Sequence, residues 1–261
     1  MTSSPSVKTL PIGRSYFGQP LELTTLGAGP GVLLFCGPFS GDRFSSDLLA
    51  LFFSALHASA ASGRRFFRTD LSLLLSLRRL SFLMNPNPDA PLIRASLPHD
   101  SSPIFSRPRA LLGAAPPSSW RANGRGVDPS LNFSFRFSRT STSPSPGGFG
   151  GDYPESEPES VSFVSCARSV PLRLALFFEQ GDGISFPDLS PSSFPGGDVL
   201  FSAALRLSPL PCRVVQMPGS PEGWLSFALS VPAMRVGASS FSTPERAFEA
   251  LTPFLGAMLT V

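Results

Sequence analysis

The chain first brings reactive side chains to the end of an apolar run in the turn from Gly37 to Arg43. The turn follows GVLLFC and precedes DLLALFF, so the stretch reads as a buried strand, a glycine-punctuated turn and an amphipathic helix. Its candidate side chains are Phe39, Ser40, Asp42 and Arg43. Ser40 beside Gly41 carries a hydroxyl. The G-x-S-x-G elbow of a serine nucleophile is missing, however, and no histidine is placed to take its proton. Glu179 and Asp182 in FFEQGDG are two carboxylates that read either as a pair or as a polar loop at a strand end. His57 falls on the helix after the turn and His99 in a loop, neither with a metal-spaced partner. Cys36, Cys166 and Cys212 are far apart and lack C-x-x-C spacing, which argues against a zinc knuckle or a redox pair. Cys36 reads as a small core residue. GAGPG precedes its strand, the reverse of a phosphate-binding loop.

The elements that must position these groups alternate. PLELTTLGAGPGVLLFCG predicts two strands around a Gly-Pro-Gly turn, and DLLALFFSALHASA a helix capped near Ser45, Ser46 or Asp47. RRLSFLMNPNPDA predicts a strand ending in a proline-rich loop, and ESEPESVSFVSCARS a helix with an acidic start. LRLALFFEQGDGISF predicts a buried strand with its exit loop, and DVLFSAALRL a helix. GWLSFALSVPAMRVGAS predicts a short helix, a turn and a last core strand. Thr243 before Pro244 opens a terminal helix. From 98 to 154 the chain is loop-rich and reads as a mobile segment, with SLNFSFRFS as its one alternating, strand-like stretch. The whole predicts a single α/β domain over 1–261, a mixed, mostly parallel central sheet flanked by helices.

Composition narrows the function classes. The formal charge is +3, the single lysine is Lys8, and the densest basic group is Arg64, Arg65 and Arg68 followed by Arg78 and Arg79. Scattered arginines without a long aromatic-laced stripe argue against nucleic acid. MTSSPSVKTLPIGRS lacks the apolar run of a secretory signal, and the apolar stretches are interrupted, so no membrane span and a reducing, cytoplasmic setting are expected. Most of the 24 phenylalanines read as core, with those of NFSFRF and ISFPDLSPSSF as a candidate exposed patch.

Four stretches in order resemble the zinc carboxypeptidase family, and within it the murein tripeptide amidases: GRSYFGQPLELTTLGAGPGVLLFCGPFSGD, FLMNPNPDA, WRANGRGVDPSLNF with YPESEPES, and MPGSPEGW with VPAMRVG. The resemblance implies a carboxypeptidase-like fold. It also implies a site with zinc held by a histidine and a glutamate on the first turn and a histidine after a later strand. In this sequence those metal positions fall on Ser40, Arg43 and Phe178. The general-base position falls on Gly237, and the pair that grips the substrate carboxylate on Ser130 and Leu131. Arg121 matches an arginine that stabilises the oxyanion, and Asn132 is also kept. A serine hydroxyl is a poor zinc ligand and a guanidinium cannot ligate.

The expectation is a catalytically inactive relative without metal or other cofactor, in which Arg43, Arg121 and Asn132 serve binding. It would engage a protein partner or peptide through the inherited cleft or its rim, or act as a subunit of a larger assembly. The alternative is an active zinc-dependent carboxypeptidase or murein peptide amidase whose ligands are displaced.

Overall fold

The computed structural model describes residues 6–138, 141–190 and 197–260. Its strands are β1 (Val7–Arg14), β2 (Pro20–Leu26), β3 (Gly31–Cys36), β4 (Arg78–Leu83), β5 (Leu172–Phe178), β6 (Asp182–Pro187), β7 (Cys212–Val215) and β8 (Ala233–Ala238). Its helices are α1 (Arg43–Ala61), α2 (Leu71–Leu77), α3 (Asp89–Ser96), α4 (Ser106–Leu112), α5 (Pro158–Ser169), α6 (Gly197–Leu207), α7 (Pro221–Ala228) and α8 (Pro244–Met258). The strands form one sheet in the order β1-β2-β4-β3-β5-β8-β6-β7. The central pairings β4–β3, β3–β5 and β5–β8 are parallel, as is β6–β7; β1–β2, β2–β4 and β6–β8 are antiparallel. This is the mixed, single-domain α/β sheet expected.

Period two explains the near-continuous apolar runs of the central strands, because both sheet faces are buried. Leu33 and Phe35 of β3, with Leu174, Leu176 and Phe178 of β5, pack with α1, α2, α6 and α8. The alternate residues, Leu34 and Cys36 with Ala175 and Phe177, pack with Phe163 of α5 and Trp224 of α7. Cys36 is fully buried, as a core residue should be. α1 has the length and mean hydropathy of a marginal membrane span (19 residues, 1.3), but its Leu48, Leu49, Phe52 and Leu56 are packed in the first core.

Several local expectations are corrected. The cap of α1 is Asp42, whose Oδ2 accepts from Ser45 N at 2.8 Å, so the helix starts at Arg43. β2 and β3 are both strands but not neighbours, since β4 lies between them. The exit loop after β5 turns directly into β6. SLNFSFRFS is not a strand: its alternation buries Phe133 and Phe135, and Arg136 adopts a left-handed φ of 47° that ends the extension. Those two phenylalanines and Phe186 are therefore core, not an exposed patch; residues 191–194 of the second stretch lie outside the described residues. Among its described residues, segment 98–154 holds α4 and three single 3₁₀ turns. Its Phe105, Leu112, Trp120 and Ala122 join Ala90 and Ile93 of α3 in a small core of their own.

Candidate functional site: an arginine-lined cleft at the strand ends

The turn from β3 to α1 folds tightly because glycine stands where a side chain would not fit. A Cβ at Gly37 would lie 2.1 Å from Met84 O, and Gly41 has a φ of +66°. Asn87, of the NPNPDA stretch, donates from Nδ2 to Phe39 O at 2.8 Å and to Arg121 O at 2.9 Å, joining the turn to the WRAN segment. Arg94 of α3 donates to Ser40 O at 3.1 Å, to Trp120 O at 2.7 Å and to Gly41 O. The turn is thus held by a buried amide and a guanidinium.

A cleft of about 1020 Å³ opens beyond this turn, at the C-terminal ends of β3 and β5 and beside β8. Ser40, Arg43, Arg121, Ser130 and Leu131 all line it, so the fold gathers five of the residues expected from sequence. Arg94, Asp128 and Arg235 line it too. Arg43 stands almost fully exposed on the rim, 3.5 Å from Asp47 one helical turn on. Arg121 is exposed and has no ion pair among the described residues.

The remaining expected residues lie elsewhere. The Phe178 ring is fully buried on the α1 side of the sheet. Its neighbour Glu179 turns the other way and reaches Ser40: Ser40 Oγ donates to Glu179 Oε2 at 2.7 Å, and Phe39 N and Ser40 N donate to Oε1. Asp182 instead accepts from Ser240 Oγ at 2.6 Å, so the two carboxylates form no pair. Gly237 pairs with Gly183 across β6–β8, and a Cβ there would sit 2.6 Å from the carbonyl carbon of Gly181. Asn132 is buried behind the cleft wall, where Nδ2 donates to Gly150 O, Tyr153 O and Ser156 Oγ, and Oδ1 accepts from Glu157 N. It orders the loop and does not face the cleft. Exposed His57 stacks on Phe53 of its own helix.

Burial pushes the Glu179 carboxyl up to about 7, while Arg235 and the Ser40 hydroxyl favour the charged form. Arg235 itself forms a two-pronged ion pair with fully buried Glu222, at 2.7 and 3.2 Å. Desolvation pulls its pKa down, but Glu222, Glu179 and Asp128 together carry it above the ordinary arginine value. Asp128 accepts from Ser130 Oγ at 2.6 Å and from Ser130 N and Gly148 N at 3.1 Å. Sequence reasoning missed Arg235, and it saw Glu179 only as a partner for Asp182 and not for Ser40. The signal for each was one charged residue ending or interrupting an apolar strand run, LALFFE and AMRV.

No family model matches the chain, and no curated protein sequence matches it. Solved structures do. The crystal structure of thrombin-activatable fibrinolysis inhibitor superposes with a TM-score of 0.71 at 17% identity, covering 97% of this chain and 69% of that one. Carboxypeptidase A from Helicoverpa armigera gives 0.66 at 15% identity, over 97% of this chain and 67% of that one. The murein-tripeptide amidase MpaA from Escherichia coli O157 gives 0.55 at 20% identity, over 97% and 92%. At these identities the likeness is one of architecture, and by it this chain has the carboxypeptidase-like α/β fold.

Proposed function

We propose that this chain is a non-hydrolytic relative of the metallo-carboxypeptidases that uses the cleft to recognise a carboxylate on a protein partner or peptide. The observation that carries the reading is the lining: Arg43, Arg94, Arg121 and Arg235 against Asp42 and Asp128. Arginine's planar fork suits a carboxylate; here Arg235 is paired with Glu222, Arg43 with Asp47, and Arg94 is held by three carbonyls, so Arg121 is the guanidinium open to an anion. Arg121 has no competing ion pair among the described residues to displace.

The donor set fits a zinc ion poorly. A catalytic zinc takes three protein ligands of His, Cys or carboxylate type plus a water. At the turn stand a hydroxyl, Ser40, already donating to Glu179, and the cation Arg43. Glu179 already accepts from Phe39, Ser40 N and Ser40 Oγ, and Asp128 is likewise engaged with Ser130 and Gly148. No group of three or more His, Cys, Asp or Glu that could hold a metal ion is found among the described residues. The three cysteines are free, which supports a reducing, cytoplasmic setting.

The test is binding of a short peptide with a free C-terminal carboxylate and of the same peptide as its amide, followed by fluorescence anisotropy. The acid should bind ~tenfold or more tighter, and Arg121→Ala should remove the difference. Equal binding of acid and amide, or chelator-sensitive cleavage of the peptide, would contradict the reading.

A further inference from the structure

A second concavity lies at the other end of the sheet and takes no part in the cleft. It is a groove of about 520 Å³ between α2 and α8, reaching Arg78 at the first residue of β4. β3 and β4 run parallel, so this is the end of the sheet opposite the turn that carries Ser40. The size suits a small organic ligand.

Its walls are apolar: Leu73, Leu74 and Leu77 from α2 face Pro253, Ala257 and Leu259 at the end of α8. Leu73 is 62% exposed and Leu77 53%, an unusual amount of open leucine for a helix of seven residues. The loop at the mouth is built for its position. Phe66 and Thr69 exchange backbone hydrogen bonds at 3.1 and 2.9 Å, and Thr69 Oγ1 donates to Gly256 O at 3.2 Å. Gly256 lets the loop come this close, since a Cβ there would be 3.0 Å from Phe67. Phe67 is held at a φ of +52°, a left-handed conformation that a bulky residue avoids unless its surroundings impose it.

The charges at this groove want a partner. Arg64, Arg65, Arg68, Arg78 and Arg79, the densest basic group of the sequence, bracket α2. Arg68 and Arg78 line the groove itself. The Arg68 guanidinium lies 5.4 Å from the Phe67 ring centroid, and Arg78 Nη1 donates only to the neighbouring Leu77 O at 3.3 Å. Neither has an ion pair among the described residues. Asp70, the carboxylate in the lining, is spent on capping α2, accepting from Ser72 N and Leu73 N at 3.0 and 3.2 Å.

We propose that the groove between α2 and α8 binds an anionic amphiphile: a single alkyl chain lying along Leu73, Leu77 and Ala257, with its terminal carboxylate held by one of the two arginines, Arg68 or Arg78, that stand at the two ends of α2. Apolar walls alone would not call for the arginines, and a bare anion would leave the leucines in water. The proposal does not rest on the reading of the cleft.

The experiment titrates the intact chain with dodecanoate by calorimetry, with dodecanol, acetate and phosphatidylglycerol vesicles as parallel arms. Dodecanoate should bind saturably, with dodecanol and acetate each at least ~tenfold weaker. The double variant R68A/R78A and the variant L73E change exposed or half-exposed side chains. Each should weaken dodecanoate ~tenfold or more while keeping the thermal midpoint and the peptide binding of the cleft. R121A should leave dodecanoate binding as it was. Absence of saturable dodecanoate binding would overturn the proposal. So would acetate or dodecanol binding as tightly, unchanged affinity in both groove variants, or adsorption to vesicles without dodecanoate binding.

Discussion

Burial drives the Glu179 carboxyl toward its neutral form, and the Ser40 hydroxyl and Arg235 hold it back. Two outcomes follow at the scale of this side chain. Ser40→Ala removes the donor to Oε2 and leaves a buried acceptor unpaired, at an expected cost of about 1–3 kcal/mol in urea unfolding. It should also move the Glu179 titration further upward, as carbon-detected NMR would read. A wild-type unfolding curve for this variant would mean that the pair does not order the turn. The second outcome concerns pH. The folded pKa of about 7 lies above the ordinary 4.5, so between those values the native chain keeps a proton that the unfolded chain has released. Stability should fall as pH rises through that window and level off above it. Glu159, which burial also pushes up to about 7, contributes with the same sign. Glu179→Gln should flatten part of the slope in a series of thermal midpoints, and an unchanged slope would assign it to other groups.

At the scale of elements, β8 explains why the position expected to carry a general base carries none. Gly237 crosses so close to Gly181 that a side chain there meets backbone, which cannot rotate away. Gly237→Glu should therefore destabilise the fold by roughly 1–3 kcal/mol or more and confer no peptidase activity. A stable, hydrolytic variant would refute that packing. The same strands show what sequence can tell. β3, β5 and β8 were legible because strands buried on both faces are written as apolar runs. β1 was not, since it lies at the sheet edge and is largely exposed. β7 has four residues, and α2 is seven residues long, too short to reveal a helical period. Within the site, Ser40, Arg43, Arg121, Ser130 and Leu131 could be placed because each sits in a local motif. The bond between Ser40 and Glu179 joins residues 139 apart, and the ion pair between Arg235 and Glu222 joins two elements; neither leaves a local trace.

Among the described residues, a polar cleft lined by four arginines lies where the parallel strands finish, and an apolar groove lined by two arginines lies where they begin. One sheet holds both ends in place. The cleft sits where α/β sheets generally bind ligands, beyond the carboxyl ends of the strands. What separates this reading from that of a working metallo-hydrolase is the affinity of the cleft for zinc. The direct measurement is equilibrium dialysis of the purified full chain against zinc, with bound metal counted by elemental analysis. The account predicts no stoichiometric zinc after dialysis into metal-free buffer; one tightly held zinc per chain, lost when Glu179 and Asp128 are replaced, would contradict it.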